Sequence, residues 1–200
     1  TAFKALMPTF KDWRWITFLL GGSDVQMPVY TSALWVWHRI GFTSEYALRC
    51  INLPFLVVMV LALRRVRLWP LLCLTSPFVL YYVGELRPYT MQMAGGALAA
   101  LGLGRVIDGK NQPGFVGLQT VAGAALLLTA SSLTAAVWAA GLALGMLVMR
   151  PDWLARKGFW LRALPWIVGG TVILGHYGWT LLQGYRAAAS GAGGLLSICF

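Results

Sequence analysis

Residues 133–149, LTAAVWAAGLALGMLVM, decide the fold class of this chain, because none of them carries a charge. A helix that crosses the hydrocarbon core of a bilayer needs roughly 20 predominantly apolar residues, since each residue adds about 1.5 Å. The block is close to that length and has no charged face that would suit a surface helix. Its sequence therefore predicts a helix buried in lipid.

Similar apolar blocks follow one another through most of the chain. Of the 200 residues, 58% are hydrophobic and 11% are charged, whereas soluble proteins average about 45–50% and about 25%. This composition counts against a soluble enzyme and a secreted disulfide scaffold, and it predicts an all-α polytopic membrane bundle with six transmembrane helices. The predicted spans are 47–63, 68–84, 89–104, 114–131, 133–149 and 161–182.

Lysine and arginine cluster in alternate connections between these blocks, and the chain has a formal net charge of +10. Because basic connections stay in the cytoplasm, the turns at 85–88 and 131–132 are predicted to face the other side. We therefore predict an extracytoplasmic loop at 1–46, a transmembrane bundle at 47–182 and an extracytoplasmic tail or loop at 183–200. This charge pattern predicts the lipid bilayer, and no nucleic acid, as the partner. The basic clusters are Arg64, Arg65 and Arg67; Arg105 and Lys110; and Arg150, Arg156, Lys157 and Arg162.

The predicted extracytoplasmic loop contains an apolar run at 28–40 that is too short to cross a bilayer. Pro28 suits the first position of a helix and Gly41 a helix end, so the run predicts an interfacial amphipathic helix. Its apolar face is formed by Val29, Ala33, Val36, Trp37 and Ile40, which recur at helical spacing.

The termini and cysteines add little chemistry. The chain begins at Thr1 without an initiator methionine, which favours a fragment of a longer protein. Cys50, Cys73 and Cys199 have neither a paired spacing nor histidine neighbours, so neither a zinc site nor a disulfide framework is predicted.

Glu85 and Arg87 lie where an apolar span opens into a short turn, with Tyr82 and Tyr89 on either side. Charges at membrane depth are costly and usually functional. One interpretation is an ordinary ion pair or an anchor at the interface. The other is that Arg87 grips a phosphate with its planar guanidinium, while Glu85 orients the arginine or handles protons.

Three further residues have two interpretations each. Asp24, in a loop before the interfacial helix, suits either a helix cap or a catalytic or metal-binding carboxylate. His38 suits either a headgroup contact or a place in the same cavity as Asp24. His176, near the end of the last span, suits an aromatic belt or an acceptor contact.

These residues form a pattern that resembles a known family. Its elements are Asp24, Pro28-Val29-Tyr30, Ser44-Glu45-Tyr46-Ala47-Leu48-Arg49, Ser76-Pro77, Tyr81-Tyr82 and Glu85-Leu86-Arg87-Pro88-Tyr89. The pattern resembles the polyprenyl-phosphate-sugar-dependent membrane glycosyltransferases of the GT-C class, which include protein mannosyltransferases and the lipid A aminoarabinose transferase. The resemblance covers 24–104, and its most specific part is 85–89.

The resemblance implies inverting transfer of a sugar from a polyprenyl-phosphate donor to a lipid, glycan or protein acceptor. It implies a cavity on the extracytoplasmic side of a bacterial inner membrane, with a divalent metal ion (Mg, Mn or Zn) near the phosphate. Asp24 and Glu85 would be catalytic, and substrate would bind to Arg87, Tyr89, Tyr82 and His38.

The chain departs from the family at two points. A proline pair is replaced by Met27-Pro28, and the family's principal acidic motif would lie upstream of Thr1. Two other functions remain open on the sequence. A transporter or flippase for a lipid-linked or anionic substrate requires polar groups at mid-membrane and broken helices. A non-catalytic membrane scaffold would tolerate neutral residues at both Glu85 and Arg87.

Overall fold

The computed structural model describes residues 28–64, 68–108, 116–149, 151 and 157–189. These residues form nine α-helices and a 3-10 turn, with no strand among them, so the predicted all-α class is confirmed. The helices are α1 Pro28–Arg39, α2 Glu45–Arg49, α3 Leu53–Leu63, α4 Trp69–Thr75, α5 Pro77–Gly84, α6 Tyr89–Asp108, α7 Val116–Ser131, α8 Leu133–Met149 and α9 Lys157–Ala189; the 3-10 turn is Cys50–Asn52.

Two stretches of the described chain are long and apolar enough to cross a membrane, Glu45–Leu63 and Gly158–Trp179. The first joins α2, the 3-10 turn and α3 into one continuous helical run. The helices Val116–Ser131 and Leu133–Met149 are apolar but shorter. These four segments coincide with four of the six predicted spans to within a few residues.

The predicted span 68–84 is two helices rather than one. Ser76 is extended (φ −68°, ψ 120°) and separates α4 from α5, which has Pro77 in its first turn. The ring of a proline disfavours a helical conformation in the residue before it, so Ser76-Pro77 ends one helix and begins the next. The ends of two other spans also move, because α6 continues to Asp108 and α9 continues to Ala189. Residues 183–189 are therefore helix where a tail was predicted.

Helix α7 is the centre of the bundle and packs against α6, α8, α9 and α1. Its contact with α6 is close because Gly102 and Gly117 face each other's helices without side chains. A Cβ on Gly102 would lie 2.5 Å from Cγ2 of Val121, and one on Gly117 would lie 2.9 Å from Cγ2 of Val106. Small residues of this kind let helix backbones approach in membranes.

The turn that joins α7 to α8 is fixed by side-chain hydrogen bonds. The hydroxyl of Ser132 accepts a bond from the backbone N–H of Ala135 (3.1 Å), which caps α8. The same hydroxyl accepts a bond from Nε2 of Gln92 on α6 (3.0 Å). On α9, the hydroxyl of Tyr177 donates to the carbonyl oxygen of Thr129 (2.8 Å). These bonds hold α6, α7, α8 and α9 together at one end.

Helix α1 forms at the predicted place, and it ends at Arg39. Three residues of its predicted apolar face, Val29, Val36 and Ile40, are exposed. The other two, Ala33 and Trp37, pack instead against a core cluster of the protein. That cluster includes Tyr30 and Leu34, which lie beside Ala33 and Trp37 on α1 and are completely buried.

Two ends of the bundle are referred to below. The turn end contains residues 85–88, between α5 and α6. The arginine end contains Arg64 at the end of α3 and Arg105 in the last turn of α6. Tyr89 and Arg105 stand at the two ends of α6, so the rise of an α-helix separates the ends by about 24 Å.

Candidate functional site

An open cleft of about 630 Å³ lies at the turn end. Four of its residues are charged: two glutamates and two arginines, drawn from two separate segments of the chain. Helix α2 brings one pair and the turn after α5 brings the other. The lining residues are Glu45, Arg49, Leu80, Tyr81, Gly84, Glu85, Leu86 and Arg87.

Glu85 and Arg87 form an ion pair in the cleft, with 3.8 Å between Oε2 of Glu85 and Nε of Arg87. The other carboxylate oxygen of Glu85 accepts a hydrogen bond from the hydroxyl of Tyr81 (2.7 Å). Nη1 of Arg87 donates to the hydroxyl oxygen of Tyr89 (3.4 Å). The arginine side chain remains 56% exposed and the glutamate only 28%, so the guanidinium is the part of the pair that a ligand can reach.

The second pair, Glu45 and Arg49, lies on one face of α2, four residues apart. Ser44 caps this helix, because its hydroxyl accepts a hydrogen bond from the backbone N–H of Ala47 (3.2 Å). Nη2 of Arg49 bonds to Oε1 of Glu45. Nε of Arg49 is buried and meets no acceptor among the described residues. A buried N–H of an arginine without an acceptor is costly, and an anion in the cleft could supply one.

Asn52 ties the walls of the cleft together. It is completely buried, and its Nδ2 donates to the carbonyl oxygens of Val83 (3.0 Å) and Glu85 (2.6 Å). Its Oδ1 accepts a hydrogen bond from the hydroxyl of Tyr30 on α1 (3.0 Å). Burial raises the pKa of Tyr30 well above its usual range, against the opposing effect of the bond to Asn52. The hydroxyl therefore stays protonated and remains a donor.

A cluster of aromatic rings packs beside the turn at 85–88. The ring of Tyr82 makes edge contacts with Phe78 and Tyr89, at centroid distances of 4.5 and 4.6 Å. The carbonyl oxygen of Tyr82 accepts a hydrogen bond from the hydroxyl of Thr90 (3.2 Å). Pro88 is fully buried within the turn. These contacts fix the backbone that carries Glu85 and Arg87.

The structure brings some of the predicted site residues together and leaves others apart. Glu85 and Arg87 line the cleft, and Tyr89 contacts Arg87 directly. Tyr82 lies behind the turn as a packing residue. His38 is not among the lining residues, and its buried Nδ1 meets no partner in the described part of the chain. Asp24 lies outside the described residues.

The described ranges contain no set of ligands for the divalent metal ion that the family resemblance implies. No group of three His, Cys, Asp or Glu side chains there is close enough to hold an ion. The cleft itself contributes the two carboxylates of Glu45 and Glu85, and each of them already pairs with an arginine. The described residues therefore do not fit a metal centre.

The predicted catalytic and substrate-binding residues do not include Glu45, Arg49 or Asn52, which shape this site. Glu45 and Arg49 belong to the pattern that resembles the family, but the cleft that they share with the turn depends on the long-range hydrogen bonds of Asn52 to Val83 and Glu85. Asn52 follows Cys50-Ile51 within an apolar run, and a single uncharged polar residue at the start of a predicted span was the available signal. Burial of a polar side chain requires partners, and here they come from residues 22 to 33 positions away.

Comparison with known proteins identifies no relative: no family model, curated protein or solved structure matches this chain.

Proposed function

We propose that this chain belongs to a membrane glycosyltransferase that moves a sugar from a polyprenyl-phosphate donor to a lipid, glycan or protein acceptor. In this proposal the six predicted spans cross a bacterial inner membrane, the second of them as the broken pair α4 and α5. The turn end faces the extracytoplasmic side, where the cleft binds the phosphate of the donor. The resemblance over 24–104 and the chemistry of the cleft support the proposal.

The observation that carries the proposal is the convergence of Arg49 and Arg87 on one cleft. A guanidinium presents a planar fork of donors that fits two oxygens of a phosphate. Two such groups from separate segments can hold one phosphate from two sides. A single exposed arginine would be ordinary at a membrane surface, whereas two that share a cleft favour a bound anion.

The glutamates control the charge of the cleft. Without a ligand, each arginine pairs with a carboxylate, so the four charged side chains sum to zero. A phosphate that enters the cleft accepts hydrogen bonds from the guanidinium groups of Arg49 and Arg87, which pair with Glu45 and Glu85 when no ligand is bound. Glu85 is held in place by Tyr81, so it orients Arg87, whereas Glu45 is 67% exposed and can move away from Arg49.

The apolar side chains beside the cleft suit the hydrocarbon tail of the donor. Leu80 and Tyr81 line the cleft, and both are more than half exposed, as is Phe78 on the same short helix. A lipid-linked phosphate approaches sideways from the bilayer, with its phosphate at headgroup depth. An apolar helix face below a pair of arginines matches both ends of such a molecule.

The proposed reaction makes one bond and breaks one bond at the anomeric carbon. The acceptor oxygen attacks that carbon and loses its proton to a carboxylate, which the resemblance places in the family's principal acidic motif and not among the residues of the cleft. The bond between the carbon and the phosphate oxygen breaks, and its electron pair leaves with the phosphate. The phosphate changes from a diester with one negative charge to a monoester that can carry two. Arginines that bind the second charge more strongly than the first stabilise the transition state.

The break at Ser76 between α4 and α5 is a feature that a transporter would share, but the interior of the bundle does not favour this function. The cavity of about 340 Å³ between α7, α8 and α9 is lined by apolar residues with the exception of Thr129. A pathway for an anionic substrate requires polar groups at that depth. In the described part of the chain, the charged cleft is confined to the turn end.

Binding of a lipid phosphate tests the site separately from the chemistry. Farnesyl phosphate is titrated into the full-length protein in neutral detergent micelles, and the dissociation constant is measured calorimetrically. Each charge-assisted contact contributes about 1.5–3 kcal/mol, so Arg87→Gln or Arg49→Gln is expected to weaken binding about 10-fold to 100-fold. Glu45→Gln is expected to strengthen binding, because it releases Arg49.

The matched control is Arg39→Gln, which removes a positive charge from α1 outside the lining of the cleft. This variant is expected to bind farnesyl phosphate as the unmodified protein does. Binding that is equally strong in Arg49→Gln, Arg87→Gln and the control would rule out the cleft as the phosphate site.

A further inference from the structure

A second pocket, of about 320 Å³, lies between α3 and α6 at the arginine end. Its walls are apolar apart from two arginines, and none of these lining residues is acidic. The residues are Val58, Leu61, Ala62, Arg64, Leu98, Leu101 and Arg105. The pocket therefore differs from the cleft at the turn end, where every arginine is matched by a glutamate.

Arg105 is held in position from the neighbouring helix. Its Nη1 donates to the hydroxyl oxygen of Thr120 on α7 (2.8 Å), and that hydroxyl donates to the carbonyl oxygen of Val116 (2.8 Å). A guanidinium has five N–H donors, so this bond orients the group and leaves donors for a ligand. Arg64 is exposed at the end of α3, on the other side of the pocket.

Below the arginines the pocket becomes a hydrocarbon groove. Leu61, on α3, is 53% exposed, and Leu98 and Leu101 on α6 continue the groove toward the middle of the helices. The helix dipole stabilises positive side chains in the last turn of a helix, so the dipole could account for the arginines without any ligand. That role would not require an apolar groove between the two helices, of which α3 is followed by Arg64 and α6 has Arg105 in its last turn.

We propose that this pocket binds an anionic phospholipid. The headgroup phosphate lies between Arg64 and Arg105, and one acyl chain follows the groove past Leu61 and Leu101. Basic pockets between membrane helices recognise anionic headgroups in this way, because charge and hydrocarbon are offered at the depths that a phospholipid requires. The site is independent of the proposed sugar transfer and lies at the opposite end of α3 and α6.

Native mass spectrometry of the full-length protein tests this site. Dioleoyl phosphatidylglycerol and dioleoyl phosphatidylcholine are titrated in parallel, and the affinity of the first bound lipid is compared. The protein is expected to bind phosphatidylglycerol about tenfold more tightly than phosphatidylcholine, as one charge-assisted contact provides. Arg64→Gln, at an exposed position, is expected to remove most of that preference, and Arg64→Gln with Arg105→Gln to remove all of it.

Arg162→Gln is the matched control, because Arg162 lies at the start of α9 and does not line the pocket. It is expected to keep the preference for phosphatidylglycerol. Equal affinity for the two lipids, or a preference that survives the double substitution, overturns the proposal. Inorganic phosphate that displaces phosphatidylglycerol would also overturn it, since the site would then be one for a free anion.

Discussion

The two ends of the bundle are held together by different physical means. At the turn end, buried side chains hydrogen bond to one another and to backbone carbonyls, with Asn52 at the centre. At the arginine end, α6 and α7 touch through Gly102 and Gly117, so backbone packs against backbone. The charges differ in the same way, because the glutamates that pair with arginines at the turn end have no counterpart in the lining of the second pocket.

The two ends therefore suit different kinds of binding site. Hydrogen bonds fix the geometry of the cleft at the turn end, whereas the pocket at the arginine end depends only on the spacing of helices. Hydrogen bonds have direction, so the Asn52 network fixes the backbone of the turn and with it the positions of Glu85 and Arg87. Close packing through glycine sets the distance between helices but orients no side chain. The proposed reaction at a phosphate would require the first kind of support, whereas the proposed binding of a lipid would require only the second.

The largest expected effect on stability is that of Asn52→Leu. The substitution removes three hydrogen bonds, one from the buried hydroxyl of Tyr30 and two to the partly buried carbonyl oxygens of Val83 and Glu85. Such groups cost about 1–3 kcal/mol each when water cannot reach them, so the free energy of unfolding is expected to fall by about 3 kcal/mol. The measurement is reversible unfolding in detergent micelles.

Tyr30→Phe is the control for that substitution, since it removes only the bond between α1 and Asn52. Its expected cost is about 1 kcal/mol. An Asn52→Leu protein as stable as the unmodified one would show that the network does not hold the turn end.

Gly102→Ala probes the other end and is expected to have the second-largest effect. The new Cβ would lie 2.5 Å from Cγ2 and 2.9 Å from the backbone nitrogen of Val121, so α6 and α7 must separate. Overpacking of this kind costs about 1–3 kcal/mol of unfolding free energy. The unfolding measurement in micelles reports it.

Gly104→Ala is the control for Gly102→Ala. Gly104 lies about half a turn farther along α6, where a Cβ would meet no atom within 4 Å among the described residues. Alanine is the better helix former, so this variant is expected to gain about 0.5–1 kcal/mol. If the two alanine variants had the same stability, close contact through Gly102 would not hold the arginine end.

Much of this architecture follows from the sequence, because long apolar runs determine where the longer helices form. Helices α7 and α8 begin and end near the predicted residues, since their blocks are uniformly apolar and Ser131-Ser132 interrupts them. The break at Ser76 was missed because composition does not change there. Helix α9 continues through Pro165 and past the predicted boundary at 182, since no strong stop signal precedes Ala189.

The site was only partly predictable for a related reason. Glu85 and Arg87 are neighbours in sequence, so local pattern identifies them. Glu45 and Arg49 line the same cleft only through the tertiary structure, because 36 or more positions separate them from Glu85 and Arg87. The partners of Asn52 are equally distant in sequence, and a pattern of hydrophobicity carries no information about which carbonyls an amide will meet.

Ser44→Ala has a smaller expected effect than Asn52→Leu, and it sharpens the role of α2 at the turn end. The substitution removes the hydroxyl that accepts from the backbone N–H of Ala47. Loss of such a cap costs about 1 kcal/mol, so affinity for farnesyl phosphate is expected to fall about fivefold as Arg49 loses its support. Ser44→Thr keeps the hydroxyl and is expected to bind normally. Equal affinity in Ser44→Ala would show that the cleft does not depend on the cap.

Sugar transfer tests the central claim most directly. The full-length protein is reconstituted in liposomes with polyprenyl-phosphate sugars, and transfer is compared among the unmodified protein, Glu85→Gln and Arg87→Ala at equal folded yield. The account predicts transfer by the unmodified protein and its loss in both variants. Transfer that persists in both variants, or that never occurs with any donor, would contradict it.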